Sequence, residues 1–382
     1  MSYLEYNTKQ MPSGLRKVLY LNWPLIFLLI MVASYGFVML YSVAGGSLTP
    51  WAELQIRRFG IGLLVMFVVA FTPLWFWRSI AGIGYIVALV LLLGVEFFGT
   101  VGMGAKRWLL IGPFRLQPSE LAKITTILAL AAYYDWLGIK KVSHPIWVLF
   151  GALIALVPTL LVLRQPDLGT AMLIAAGGGV VIFAAGVHWA YFVALFGTIG
   201  GLVTAIMQSR GTDWQLLKDY QFRRIDAFLD PTLDPLGAGY HINQSMIALG
   251  SGGWSGRGFM EGTQARLNFL PEKHTDFIFT TLAEEFGFVG ASSLLLLYMM
   301  IIAVCLLTAI RTTNRFGALL VMGVIGNFFL YFAVNMAMVM GLAPVVGVPL
   351  PLVSYGGSAM IVLMVGFGLV HSAQIHRARL PS

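Results

Sequence analysis

Apolar runs of about 20 residues recur along almost the whole of this 382-residue chain, the length a helix needs to cross hydrocarbon. No water satisfies the backbone inside lipid, so only helices and closed barrels span it. A barrel would show short segments alternating apolar and polar, whereas these runs are continuous. The chain is therefore expected to be an all-α polytopic membrane protein, a single integral domain over 1–382. Ten spans fit, near 21–43, 59–77, 80–99, 119–135, 145–163, 169–187, 189–207, 277–310, 316–340 and 357–375, with a large loop at 208–276 between the seventh and eighth. The first run follows Lys9, Arg16 and Lys17 as a signal peptide's core would. It is too long for a cleaved one and reads as a retained span.

Charge sets the orientation. With both termini cytoplasmic, the short inner segments carry Lys9, Arg16, Lys17, Arg78, Lys140, Lys141, Arg311, Arg315, Arg377 and Arg379, as the positive-inside rule requires. The remaining fourteen of the 24 basic residues then fall at the outer face. A long loop such as 208–276 translocates largely regardless of its charge. That account does not cover Lys106, Arg107, Arg115 and Lys123, which sit in or beside a shorter outer loop and suggest an anionic ligand. Basic residues on that face, with no recognition fold beside the spans, exclude nucleic acid as a partner. The single cysteine, Cys305, lies in an apolar run and offers neither a disulfide framework nor a cysteine-rich metal site. No metal or cofactor is expected. The string GSGGWSGRG, 250–258, lacks the Gly-Lys-Ser/Thr ending of a phosphate-binding loop and reads as a flexible turn.

Three polar clusters share the outer side. In GAKRWLLIGPFRLQPSELAK, 104–123, Pro118 and Ser119 start a helix on which Glu120 and Lys123 share a face. The pair either serves a site or merely lets two charges enter the membrane edge together, and Trp108 is equally readable as an interfacial anchor. In RQPDLGTA, 164–171, Asp167 can cap the sixth span and Arg164 can snorkel. In LPEKHTDFIFTTLAEEFGFVG, 270–290, Thr275 or Asp276 can cap the following helix. Asp276, Thr280 and Glu284 then recur every four residues along one face, and acids at such depth mark a functional face unless another span's base pairs with them. His274 reads either as a proton carrier or as a hydrogen-bonding strut. These clusters suit an outward-facing polar cavity, which an enzyme and a transporter would both possess.

The run 228–290, together with 104–123, the RQPDLGTA segment and PVVGVPLPLVSYGGSAM at 344–360, resembles the shape, elongation, division and sporulation (SEDS) family, and more its elongation than its division members. The resemblance implies a ten-helix peptidoglycan glycosyltransferase of the inner membrane. It would polymerise lipid II at the outer face, for cell elongation and shape, with a class B penicillin-binding protein transpeptidase and other membrane proteins of the elongation machinery. It implies that Asp276 is essential, and that Trp108, Glu120 and Lys123 occupy the family's motif positions.

Transfer with inversion from a polyprenyl pyrophosphate needs a base for the acceptor hydroxyl and positive charge for the leaving group. Asp276 is the expected base, as in inverting glycoside hydrolysis with a sugar hydroxyl in place of water. Lys123, Arg107, Arg223 and Arg224 are the expected pyrophosphate ligands, with Glu120 positioning Lys123. Lys273, His274, Ser354 and Tyr355 complete the expected substrate-binding set, and Asn243, Gln244 and Ser245 are further candidates for sugar or peptide contacts. The rival readings are a flippase for the lipid-linked precursor and a non-catalytic scaffold. A flippase would need polar groups reaching the inner face, and here they gather at the outer one.

Overall fold

The computed structural model describes residues 14–102, 105–111, 114–212, 214–216, 222, 226, 229, 238–267, 269 and 272–376. In chain order the helices are α1 (Trp23–Val43), α2 (Ala52–Phe71), α3 (Leu74–Phe98), α4 (Pro118–Trp136), α5 (Pro145–Arg164), α6 (Leu168–Ala184), α7 (Trp189–Gln208), α8 (Ala238–Ser251), α9 (Thr263–Arg266), α10 (Ile278–Arg311), α11 (Arg315–Val339) and α12 (Ser358–Ile375). This is the polytopic helical bundle expected. Among the described residues eight helices are long and apolar enough to cross a membrane. Of the other two long helices at expected span positions, α6 has 17 residues and α4 carries Glu120, Lys123 and Asp135.

The closest packing joins α2 to α12, α3 to α4, α6 to α5 and α11, and α1 to α10. At the centre an aromatic column runs from Tyr298 of α10 to Phe328 and Phe332 of α11, 5.5 and 5.0 Å away, and on from Phe328 to Phe367 of α12. Offset and edge contacts of this kind add stability beyond the area they bury. By contrast α7 has no fully buried residue: Tyr191 and Phe192 of its first turn pack against the bundle, and most of its remaining apolar surface faces outward.

The second and third spans begin earlier than expected, at Ala52 and Leu74 rather than near 59 and 80. The chain turns at Thr72-Pro73 because proline cannot continue a helix but starts one readily, so Arg78 lies inside α3 and pairs with Asp135 at 2.8 Å. Two basic residues credited to orientation also have local work. Lys17 donates to the carbonyl of Phe71 (2.7 Å) and Arg315 to that of Leu137 (2.8 Å), satisfying carbonyls at the ends of α2 and α4.

The loop before α4 is an antiparallel sheet of β1 (Thr100–Gly102), β2 (Ala105–Ile111) and β3 (Phe114–Leu116). Two of the strands have only three residues, and a bulge breaks the alternation of the seven-residue β2, so the sequence showed only a loop.

The glycine-rich string forms a turn at 252–255, as expected, and this turn splints a helix. Helix α10 breaks at Gly287, whose φ of 62° and ψ of −159° are not helical. The loop supplies the missing ladder: Arg257 and Gly258 donate to the carbonyls of Glu284 and Glu285 (3.0 and 3.1 Å), and Phe288 and Val289 donate to those of Gly253 and Trp254 (2.9 and 3.2 Å). A methyl group on Gly256 would sit 2.1 Å from the Glu285 carbonyl oxygen, and its φ of +80° is itself left-handed. Gly256→Ala is therefore expected to destabilise by at least about 1–3 kcal/mol, read as a lower midpoint in thermal unfolding in detergent. An unchanged midpoint would mean that the splint does not support the break.

Candidate active site

Five parts of the chain meet at one cavity of about 450 Å³. Its wall is built from β2 (Arg107, Trp108), the starts of α4 and α6 (Glu120, Asp167), Glu272 and His274–Asp276 of the turn before α10, Tyr331 of α11, the loop before α12 (Gly347–Pro349 and Tyr355–Gly357) and the first residues of α12 (Ser358, Ala359). The three polar clusters of the sequence thus lie on one surface.

Arg107 and Trp108 are sequence neighbours, and in a regular strand they would point to opposite faces. Thr100 pairs with Trp108 while Val101 pairs with Lys106, leaving Arg107 as the extra residue of a bulge. A bulge re-aims side chains, and both residues line the cavity. The Arg107 guanidinium donates to the carbonyls of Gln165 (3.4 Å) and Pro166 and lies 3.9 Å from Asp167. Asp167 caps α6 as expected, accepting from the Thr170 N–H at 3.2 Å, and also accepts from Gln117 at 3.3 Å. Arg164 is exposed and lies outside the lining.

Pro118 opens α4, which places Glu120 and Lys123 one turn apart. The Lys123 ammonium donates to Glu120 at 2.6 Å, and the side chains are only 1% and 7% exposed. Glu120 also accepts from the Tyr331 hydroxyl at 3.1 Å, and the Tyr331 ring lies 4.2 Å from the ammonium. A buried ion pair persists when further hydrogen bonds and a cation–π contact support it. Of the pair, Glu120 reaches the cavity, whereas Lys123 lies behind it against Asn327 and Phe328.

Asp276 does not cap α10, and neither does Thr275. The cap residue is Phe277 with no side-chain bond, and the Thr275 hydroxyl donates to Glu272 at 2.9 Å. The turn is closed by the Thr275 and Phe277 N–H groups on the Glu272 carbonyl, 3.2 and 3.3 Å. The Asp276 carboxyl faces the cavity instead, and burial, with the neighbouring Glu272 charge, pushes its pKa up to about 6. Burial lowers the pKa of His274, whose ring is stacked 4.7 Å from Trp51. Lys273 is half-buried, its pKa also lowered by burial, and lies outside the lining.

Tyr355 lines the cavity, with the Arg58 guanidinium 4.7 Å over its ring. Ser354 stands one layer back, donating to the Thr275 carbonyl (2.5 Å) and accepting from the Leu350 N–H (2.8 Å). Arg223 and Arg224 lie outside the described residues. The expected acidic face of α10 is divided: Thr280 bonds Ser245 at 2.9 Å, and Glu284 accepts from the Thr263 hydroxyl and the Gln264 N–H at 2.9 and 3.1 Å. Glu284 and Glu285 take hydroxyl and backbone donors rather than another span's base, Glu285 accepting from Ser42. Ser245 also donates to the Val339 carbonyl at 2.8 Å and so serves packing, while Asn243 and Gln244 lie outside the cavity lining.

The sequence reading missed Trp51, Gln55, Tyr331 and Asn335. Gln55 donates to the Ser354 carbonyl (2.8 Å) and accepts from the Gly356 N–H (3.3 Å), so one face of α2 braces both the HTDF turn and the loop before α12. Trp51 and Gln55, one helical turn apart, were a detectable pair once α2 was known to start at Ala52.

Comparison with known proteins gives a consistent account. The family model FtsW/RodA/SpoVE, described as cell cycle protein, matches residues 20–379. The peptidoglycan glycosyltransferase MrdB of Escherichia coli K12 is 44% identical over 363 residues, covering 94% of this chain and 95% of that one. A chain from a structure on the coordination of polymerization and crosslinking by a peptidoglycan synthase complex superposes with a TM-score of 0.80 at 33% identity, covering 93% of this chain and 97% of that one. The rod shape determining protein RodA of Thermus thermophilus superposes with a TM-score of 0.69 at 30% identity, covering 94% and 98%. With nearly its whole length matched in sequence and in structure, the chain belongs to the FtsW/RodA/SpoVE family.

Proposed function

We propose that this chain is a peptidoglycan glycosyltransferase that polymerises lipid II into glycan strands, with its cavity at the outer face of the cytoplasmic membrane and both termini inside. The observation that carries the reading is Asp276: a half-buried carboxyl of pKa about 6 on the same wall as Arg107 and Glu120, with Lys123 paired to Glu120 from behind. A base of that strength is ionised at neutral pH yet holds a proton better than an exposed aspartate.

In the step so assigned, the Asp276 carboxylate takes the proton of the acceptor hydroxyl as its oxygen bonds to the donor's anomeric carbon. The bond from that carbon to the pyrophosphate oxygen breaks, its electron pair leaves with the pyrophosphate, and the anomeric configuration inverts. Arg107 is the cation on the lining against which the leaving charge grows. Lys123 contributes from behind, by neutralising Glu120. Likeness to a chain of a peptidoglycan synthase complex supports work beside a crosslinking partner, here assigned to the class B penicillin-binding type, and likeness to a rod shape determining protein supports a place in the machinery of cell elongation.

The purified protein with that partner should convert labelled lipid II to glycan polymer while transpeptidation is blocked. Since the base acts ionised, turnover should rise with pH through a midpoint near 6 and level off above 7. Lipid II crossing vesicle bilayers without any polymer being formed would replace the enzyme by a carrier.

A further inference from the structure

Tyr331 and Asn335 stand four residues apart on α11 and so on one face of it, about 6 Å apart along the axis. Neither is charged, and they lie in an apolar run that offered no reason to single them out. Both are buried, at 3% and 0% exposure. Polar side chains this deep in a membrane helix face a cavity or a partner, and here they face the two halves of the site.

Tyr331 reaches α4. Its hydroxyl donates to Glu120 at 3.1 Å and its ring backs the Lys123 ammonium at 4.2 Å. Asn335 reaches the other half. Its one amide nitrogen donates both hydrogens, to the backbone carbonyl of Asp276 at 2.9 Å and to that of Val348 at 2.7 Å. Only an amino group can sit between two carbonyls, which fixes the orientation of the amide. Val348 belongs to the loop that forms the next part of the cavity wall. The turn carrying Asp276 and the helix carrying Glu120 come from parts of the chain more than 150 residues apart. Helix α11 is the rigid element bonded to both.

We propose that Tyr331 and Asn335 are positioning residues that set the distance between the Asp276 carboxylate and the Glu120–Lys123 pair. The inference rests on the reading of Asp276 as the base. Neither side chain takes part in proton transfer; each holds a group that does, or its charged neighbour. Displacing a reacting group by about 1 Å can cost 10² in rate even when substrate still binds. The effect of losing either residue therefore belongs in turnover and not in affinity.

The test measures lipid II polymerisation by the complex with its transpeptidase partner, for native protein, Asp276→Ala, Asn335→Ala, Tyr331→Phe and Tyr331→Leu, each quantified as folded protein. Asn335→Ala should lower kcat by roughly 10–100-fold with KM within about twofold. It should also shift the acid limb of the kcat profile to lower pH, because a loosened turn admits water to Asp276 and relieves the desolvation that raises its pKa. A general loss of fold would lower activity at every pH without moving that limb. Tyr331→Phe keeps the ring under Lys123 and loses only the bond to Glu120, so its kcat should fall less than that of Tyr331→Leu. Native kcat and pH profile in both Asn335→Ala and Tyr331→Phe overturn the proposal, as does a change confined to KM. If the native protein makes no polymer, or Asp276→Ala makes as much as native, the reading of the site fails and this inference fails with it. Loss of activity in Asp276→Ala beside full activity in the α11 variants removes this inference alone.

Discussion

Asp276→Asn is expected to reduce polymerisation by roughly 10²–10⁴ and at the same time to make the protein more stable at pH 7.5. The first effect follows from replacing a proton acceptor by an amide that cannot accept a proton at any relevant pH. The second follows from linkage. The folded-state pKa is about 6 against an ordinary 3.8, so the cavity disfavours the carboxylate. Well below pH 3.8 the group is protonated folded or unfolded and costs nothing; between 3.8 and 6 only the unfolded chain ionises, so the folded protein bears a penalty that grows to about 3 kcal/mol and stays constant above that window. Asparagine has the same shape without the charge. Thermal unfolding of the two proteins at pH 7.5 and pH 4 checks this: the variant should melt higher at the first and alongside the native protein at the second. An Asn variant less stable than native at pH 7.5 would show that burial does not strain the ionised group. The paired result also separates lost chemistry from lost fold.

Lys123→Met should be among the most damaging single changes to the fold. It leaves Glu120, 6% exposed, without its ammonium, and breaking one half of a buried pair costs about 3–5 kcal/mol. The double change Glu120→Gln with Lys123→Met removes both charges while the Gln carbonyl oxygen can still accept from Tyr331, so stability should return to near native. Activity should not return with it, because the paired charges beside the cavity have gone. Unfolding midpoints and polymer yield for the two singles and the double form a cycle that isolates the coupling. Additive stabilities would mean that the two charges do not depend on each other.

What could be read from sequence followed the strength of the local signal. The long helices were visible because lipid imposes a length, and Asp276, Glu120 and Arg107 because charge is conspicuous in an apolar chain. The start of α2 was hidden by Glu53, Gln55, Arg57 and Arg58, which look too polar for a span. The helix nevertheless carries them, with the exposed Arg57–Glu53 pair at 2.5 Å on its outer turn. Thr72-Pro73 did carry a signal, and weighing the proline above Arg78 would have set that boundary. The expectation that Asp276, Thr280 and Glu284 form one functional face failed because four-residue spacing describes a continuous helix. Asp276 lies in the turn before α10, and the loop residues Thr263 and Gln264 claim Glu284. Tyr331 and Asn335 were out of reach for a different reason: uncharged polar residues in a span become informative only when their partners are known, and those partners lie on another helix, in a turn and in a loop distant in the chain.

The splint at Gly287 bears on how this outer surface can diversify. Residues 253–258 hold α10 through main-chain N–H and carbonyl groups, while the Trp254 side chain is 76% exposed. The exposed side chains of Ser255 and Arg257 take no part in those backbone bonds, whereas the glycines at 252, 256 and 287 are pinned by close approach of backbone atoms, Gly253 and Gly258 by φ of +54° and +116°, and Trp254 by its edge contact with Phe288 at 5.1 Å. A lineage can change what the Ser255 and Arg257 positions present to a neighbour without retuning the turn carrying Asp276 that precedes the same helix.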